Sequence, residues 1–479
     1  MKKIFIASFL AITAVQLKAQ DIAGSWVGSI TVGGTNLHLV FNIKKVADTS
    51  YISTFDSPDQ KAFGIKCENT FLKKDSLFIK CAVLNGGYTG VWDGKDGISG
   101  TFKQGPGKLS INLKRISEAE NKALATDPVR PQTPKPPFPY YSEDVEYDNA
   151  NKNLHYGATF TRPNGDGKYP AVIIISGSGT QDRDGTMMKG HKPYMVLADY
   201  LSRNGIAVLR VDDRGAGKSS LGDSINYKTS LDFSYDVETS LNYLETRHDV
   251  NTKHLGLIGH SEGGMIAPMV AARRKDVDFI VLWAGSFVGG ARVLSEQYAN
   301  SLREQGVDSS AVSSFEKVHL QILNLFAGAP DEQTLDKNLM TVFNAWKVEQ
   351  PQKTLDALNV HGDMTAVLTK MFNAQFNAPW IRFFITYDPS KDLSKVKCAV
   401  LAINGEKDMQ VNAAENLAMV KNVLTKSGNK HFEVKALPGL NHLLQTADTG
   451  QVSEYEQIQE TVSPGAMKII SDWIKLHTK

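Results

Sequence analysis

Gly259-His260-Ser261-Glu262-Gly263 sets a serine between two glycines, each two residues away. A serine hydroxyl is a weak nucleophile unless a base takes its proton and the backbone holds it exposed. A sharp strand-to-helix turn exposes it, and that turn crowds the backbone enough to call for glycine on either side. The surroundings agree: 255–258 is a short apolar run that reads as a strand, and 265–273 reads as a helix. Two later positions carry complementary chemistry, Asp408 in Asn404-Gly405-Glu406-Lys407-Asp408 and His442 in Gly439-Leu440-Asn441-His442. In that combination Ser261 attacks a carbonyl carbon, and His442 takes the hydroxyl proton and later returns it. Asp408 fixes the imidazole tautomer and steadies the imidazolium. Glu406, Asp388 and Asp392 compete for the acid's role, and the position of Asp408 after a strand decides for it.

The elements that would hold these groups can be read around them. Residues 171–175, 206–209, 255–258, 279–282 and 399–403 are apolar runs without alternation. Helical stretches at 194–203 and 231–244 lie between them, the second with Phe233, Val237, Leu241 and Leu244 on one face. Fully apolar strands alternating with helices imply a parallel sheet covered on both sides. Ligands of such sheets sit at the carboxyl ends of the strands, where Ser261, Asp408 and, after a further strand at 432–437, His442 all fall. Their chain order is that of an α/β-hydrolase. The oxyanion of the intermediate needs backbone donors, expected from Glu262 and from Ser178 in the turn Gly177-Ser178-Gly179. Between Ala284 and Val396 the sequence shows helical periodicity without a comparable strand, which predicts a helical cap at about 285–395. Phe372, Phe376 and Trp380 are its expected pocket residues. Asp182, Arg183 and Asp184 read as ion-paired residues that order the oxyanion loop, and Asp213 with Arg214 as another such pair. His254 and His260 read as structural. No cluster has metal-ligand spacing, and no phosphate loop or cofactor motif is expected; Gly215-Ala216-Gly217-Lys218-Ser219 lacks the required spacing.

The rest of the 479 residues bound the answer. Met1-Lys2-Lys3, an apolar run at 4–15 and Leu17-Lys18-Ala19 lay out a secretory signal peptide over 1–19, too short to span a bilayer. The expectation is an exported protein, periplasmic or extracellular, with no membrane span in its mature form. Losing 1–19 removes three lysines and no acid, so the formal charge goes from +2 to −1, which offers no footprint for nucleic acid. Residues 20–115 alternate apolar and polar positions, as at Leu37, Leu39, Phe41 and Ile43, which predicts a small antiparallel all-β domain. Trp26 and Trp92 read as its packed core rather than a binding surface. Six prolines between Asp127 and Tyr140 mark a linker at 116–142, and the hydrolase domain is expected over 143–479. Cys398 reads as a buried free thiol. Cys67 and Cys81 could pair in an oxidising compartment, but two independent thiols is the preferred reading.

Gly177-Ser178-Gly179-Thr180-Gln181-Asp182-Arg183-Asp184, Asp213-Arg214-Gly215, Gly259-His260-Ser261-Glu262-Gly263-Gly264, Asn404-Gly405-Glu406-Lys407-Asp408 and Gly439-Leu440-Asn441-His442 occur in this order. Together they resemble the secreted bacterial serine carboxylesterases of the α/β-hydrolase superfamily, over about residue 143 to the C-terminus. Trp380-Ile381-Arg382-Phe383-Phe384 and Tyr387-Asp388-Pro389 fit the same group. The resemblance implies hydrolysis of small acyl esters, no cofactor, and the triad given above. The sequence departs from many hydrolases at Ser176, where a His-Gly pair often opens the oxyanion loop. The β domain resembles modules that precede such hydrolases in exported proteins. A serine aminopeptidase of the same fold is the alternative, with Glu304 or Glu316 in the cap as the anchor for a substrate amine. A non-catalytic binding protein built on the β domain is a third reading, which the triad argues against.

Overall fold

The computed structural model describes residues 21–479 except 33–34, 48–49, 61, 106, 127–129, 224–227, 329–330 and 363–364. The expected signal peptide at 1–19 lies outside the described residues. The chain divides into two compact units, Met1–Pro128 and Val129–Lys479.

The first unit is a closed antiparallel barrel of eight strands. They are β1 (Gly24–Val32), β2 (Thr35–Ala47), β3 (Ser50–Ser57), β4 (Ala62–Lys73), β5 (Ser76–Cys81), β6 (Gly86–Trp92), β7 (Gly97–Gln104) and β8 (Gly107–Ile116). β8 closes on β1 through Ser25↔Ile116 and Val27↔Lys114, which leaves no free sheet edge. The period-2 pattern sends Trp26, Phe41, Phe55, Leu77, Tyr88 and Phe102 inward. Trp26 is fully buried, whereas Trp92 is partly exposed and its indole N–H donates to the Lys95 carbonyl at 2.9 Å. Cys67 on β4 and Cys81 on β5 form a disulfide, against the preferred reading of two separate thiols; strand register, invisible in sequence, brings them together. Cys398 is free and half-buried. After β8 comes helix α1 (Glu118–Ala125), capped reciprocally by Ser117 and Glu120, so the linker expected at 116–142 begins with a helix ahead of its prolines.

The second unit is built on an eight-stranded sheet ordered β16-β15-β14-β13-β11-β12-β10-β9. These are β9 (Tyr141–Asp148), β10 (His155–Arg162), β11 (Tyr169–Ile175), β12 (Ala207–Val211), β13 (Val250–His260), β14 (Val277–Trp283), β15 (Ala399–Gly405) and β16 (Phe432–Leu437). From β12 to β16 the neighbours are parallel; β10 runs antiparallel to both β9 and β12. One face is covered by α3 (Ser230–Glu245), α4 (Glu262–Arg273) and α12 (Ala413–Lys426), through Leu241, Ile266 and Val420. The other face is covered by α2 (Pro193–Arg203) and α13 (Pro464–His477), through Leu197, Leu201 and Ile470.

Between β14 and β15 the chain leaves the sheet for α5 (Gly290–Glu304), α6 (Ser309–Gly328), α7 (Glu332–Glu349), α8 (Gln352–Ala357), α9 (Thr365–Phe376), α10 (Pro379–Thr386) and α11 (Ser390–Leu393). This insertion has its own apolar core around Ile322, Phe326, Leu339 and Phe376, and it rests on Met265 and Met269 of α4. No helix among the described residues is long and apolar enough to cross a membrane.

Candidate active site

Ser261 follows β13 and opens α4 with φ 56° and ψ −114°. A non-glycine residue held at positive φ costs of order 1–3 kcal/mol and persists only where its surroundings fix it. Here the Ser261 N–H donates to the Trp283 carbonyl at 2.8 Å, and the Gly264 N–H donates to the Ser261 carbonyl at 3.0 Å. The flanking glycines answer a steric demand. A Cβ on Gly259 would lie 2.0 Å from the Gly263 carbonyl oxygen, and one on Gly263 would lie 2.4 Å from that of Ile175.

Asp408 follows β15, and His442 lies five residues beyond β16. His442 Nδ1 is 2.7 Å from Asp408 Oδ2, and both side chains are fully buried. The other carboxylate oxygen accepts from the N–H groups of Gln410 and Val411, each at 2.8 Å. That leaves Asp408 no freedom to turn away from the imidazole. The His442 carbonyl accepts from the Trp283 indole at 3.2 Å, and its ring packs against His260, the neighbour of Ser261, at 4.9 Å between centroids. Serine, imidazole and carboxylate therefore gather at one rim of the sheet. Glu406, in the same turn, points to solvent.

The loop after β11 approaches Ser261 closely: a Cβ on Gly177 would be 3.3 Å from that of Ser261. The Gly177 N–H donates to the Tyr194 hydroxyl at 3.0 Å. No group among the described residues accepts from the Ser178 N–H. The Glu262 N–H, at the first position of α4, has no carbonyl to reach within its own helix. Neither amide is committed to an acceptor among the described residues. Tyr194, on α2, was not legible as a site residue. Its hydroxyl joins the Gly177 amide, Gln181 Oε1 at 3.0 Å and His260 Nδ1 at 3.1 Å. Burial pushes the His260 imidazole well below its usual range, so it stays neutral within this network. Tyr194→Phe should lower the rate of acyl transfer about tenfold with little change in KM, because the loop amide loses its anchor. Steady-state kinetics on the variant check this.

The ion pairs of the loop are partly those expected. Arg183 grips Asp212 through Nε at 3.0 Å and a terminal nitrogen at 2.5 Å, while Asp184 meets Arg210 and Lys192. The expected Asp213–Arg214 pair does not form. Arg214 turns instead to Asp236 on α3, at 2.6 and 2.7 Å. Among the described residues Asp213 receives only neutral donors, Ser176 Oγ at 2.6 Å and the Gln181 N–H at 2.8 Å. Buried without a cation, its carboxyl is pushed up to about 7. An acid that holds its proton more tightly in the folded chain makes stability fall as pH rises, here from about 4 to about 7. Asp213→Asn should remove up to ~4 kcal/mol of that decline, measured as a flatter pH profile of the urea midpoint.

The Glu262 side chain was also unforeseen. Its carboxylate is buried and accepts from Ser230 Oγ at 2.6 Å and Trp380 Nε1 at 2.8 Å. It ties α3 and the cap helix α10 to the helix that Ser261 opens. Burial raises its pKa. Beside it lies a cavity of about 580 Å³ walled by Ile173, Ile175, Val211, Phe233, Gly177 and Trp380, among others. Of the three expected pocket residues only Trp380 borders it. Phe376 is buried in the cap core, and Phe372 faces a separate cavity inside the cap. The cap acids Glu304 and Glu316 are engaged elsewhere, the first with Ser453 and the second with Arg292 and Arg303.

Residues 188–366 match the family described as serine aminopeptidase, S33, a stretch that includes Ser261 but ends before Asp408 and His442. The chain is 25% identical to esterase EstD of Thermotoga maritima over 284 residues, 59% of this chain. That match spans 57% of the relative, so the chain covers little more than half of its length. Among solved structures, the Pyrococcus furiosus esterase Pf2001 aligns with 70% of this chain and 93% of its own at 15% identity and TM-score 0.40. The α/β-hydrolase GrgF of Penicillium sp. sh18 aligns with 70% and 99% at 16% identity and TM-score 0.41. By strand order, nucleophile turn and inserted cap, the second unit has the α/β-hydrolase fold, preceded in the chain by an antiparallel β-barrel domain.

Proposed function

We propose that the protein is a serine hydrolase that cleaves carboxylic esters through an acyl-enzyme intermediate. The observation that carries this reading is the buried 2.7 Å contact between His442 and Asp408 beside a serine held at positive φ. Ser261 Oγ attacks the ester carbonyl while its proton passes to His442 Nε2, the nitrogen that Asp408 leaves free. The N–H groups of Glu262 and Ser178 hold the oxyanion. Collapse expels the alcohol, protonated by His442, and leaves the acyl group on Ser261. Water then attacks with His442 as base, and the acid departs. The acyl part occupies the cavity bounded by Ile175, Phe233 and Trp380, whose apolar walls and size suit a small substrate. A panel of short-chain nitrophenyl esters beside aminoacyl nitroanilides tests the reading. Esters should be turned over and anilides spared; comparable cleavage of the anilides would replace it with the aminopeptidase alternative. That alternative draws on the description of the matched family, but Glu304 and Glu316 are already partnered within the chain.

We propose further that the protein is exported. The Cys67–Cys81 disulfide supports this, since such bonds persist in oxidising compartments. The mature chain recovered from the source cell should begin at Gln20, a result intact-mass measurement reads directly.

A further inference from the structure

The cap holds a second cavity, of about 140 Å³, with walls different from those of the first. Its walls are almost wholly apolar, Leu302, Phe343, Trp346, Val360, Leu368 and Phe372 among them, with one exception, His319 of α6. That imidazole is 1% exposed, and neither ring nitrogen has a hydrogen-bond partner among the described residues. Its ring stacks on Phe315 at 5.1 Å and meets Phe376 edge-on at 5.8 Å. Burial pushes its pKa down to about 4, so at neutral pH it carries one N–H donor and one bare nitrogen acceptor. A buried polar group left in this state is costly, and a leucine would pack the same space without that cost.

Water is a poor partner here. A confined water needs two to four polar contacts, and among the described wall side chains the one other polar group, the Trp346 indole N–H, is already bonded to Ser314 Oγ at 2.8 Å. An apolar cavity of ~150 Å³ is known to stay dry and to take up benzene. A ring of that size bearing one hydroxyl would fill this space and give one nitrogen of the imidazole a partner. We propose that the cap cavity is a binding site for a small neutral aromatic or alicyclic alcohol, its hydroxyl bonded to His319 and its ring held by the surrounding Leu, Val and Phe side chains. The site is separate from the catalytic rim and does not depend on the ester-hydrolase reading.

Titration of the full chain with phenol and with toluene, followed by ligand-observed NMR at millimolar concentration, tests the site. Phenol should bind about tenfold more tightly than toluene, the worth of one added hydrogen bond. His319→Leu should abolish that preference while toluene still binds, which also reports an intact cavity. Leu368→Trp, which fills the space, should remove both ligands and so excludes uptake in the larger cavity. In the unaltered chain, phenol should shift the ring-nitrogen resonances of His319 in histidine-labelled protein, a readout independent of any variant. Failure of phenol to bind, undiminished preference for phenol in His319→Leu, or unmoved His319 resonances would each overturn the proposal.

Discussion

Replacing Ser261 with alanine is expected to lower kcat/KM for short acyl esters at least about ten-thousand-fold, a loss of ~5.5 kcal/mol in transition-state stabilisation. The size follows from the role: without Oγ no acyl-enzyme forms, and only amide donors and binding remain to favour water attack. Stability should move the other way. Ser261 sits at φ 56°, so Ser261→Gly should unfold about 1 kcal/mol less readily while being equally inactive. Kinetics and thermal melting on the two variants separate these effects. A fluorophosphonate should label the unaltered chain once, on the peptide containing Ser261, and neither variant. Ester turnover by Ser261→Ala at the rate of the unaltered chain would remove the triad from the account.

The second large effect belongs to Asp408. Asp408→Asn keeps the volume and an oxygen for the Gln410 and Val411 amides, but it faces His442 Nδ1 with an NH2 group. The imidazole then adopts the tautomer with its proton on Nε2, where it cannot accept from Ser261. A fall in kcat of about ten-thousand-fold is expected with KM nearly unchanged, measured at saturating ester. In the proposed mechanism His442 Nε2 can accept the serine proton because Nδ1 donates its own to Asp408. Activity in the variant should therefore recover in part at alkaline pH, where deprotonated serine needs no base.

Much of the second unit was legible because its central strands are buried on both faces and so read as unbroken apolar runs: 171–175, 279–282 and 399–403 all lie within β11, β14 and β15. β9 was not legible. As an edge strand with Glu143, Asp144, Glu146 and Asp148, it lacks an apolar run. The residues Ser261, Asp408 and His442 could be singled out because each lies at or just beyond a strand end, a relation that chain order alone reveals. Contacts set by packing between distant elements were hidden. Arg214 finds Asp236 on α3 rather than its neighbour Asp213, and Tyr194 reaches Gly177 and His260 from α2. Phe372 and Phe376 are one helical turn apart, and that spacing describes a helix face without saying which cavity or core it meets. Within α9 the face turns into the cap.

β14 and β15 are hydrogen-bonded neighbours, Phe279 beside Ala399 and Trp283 beside Ile403, yet the whole cap lies between them along the chain. The excursion begins and ends at adjacent points on a fixed ladder, so lengthening or shortening it adds little closure entropy, since that cost grows only with the logarithm of loop length. Such a graft point lets the roof be exchanged for another while the floor that carries Ser261, Asp408 and His442 is retained. Trp380 is one clasp that a replacement roof would have to reproduce, because its bond to Glu262 ties roof to floor beside Ser261.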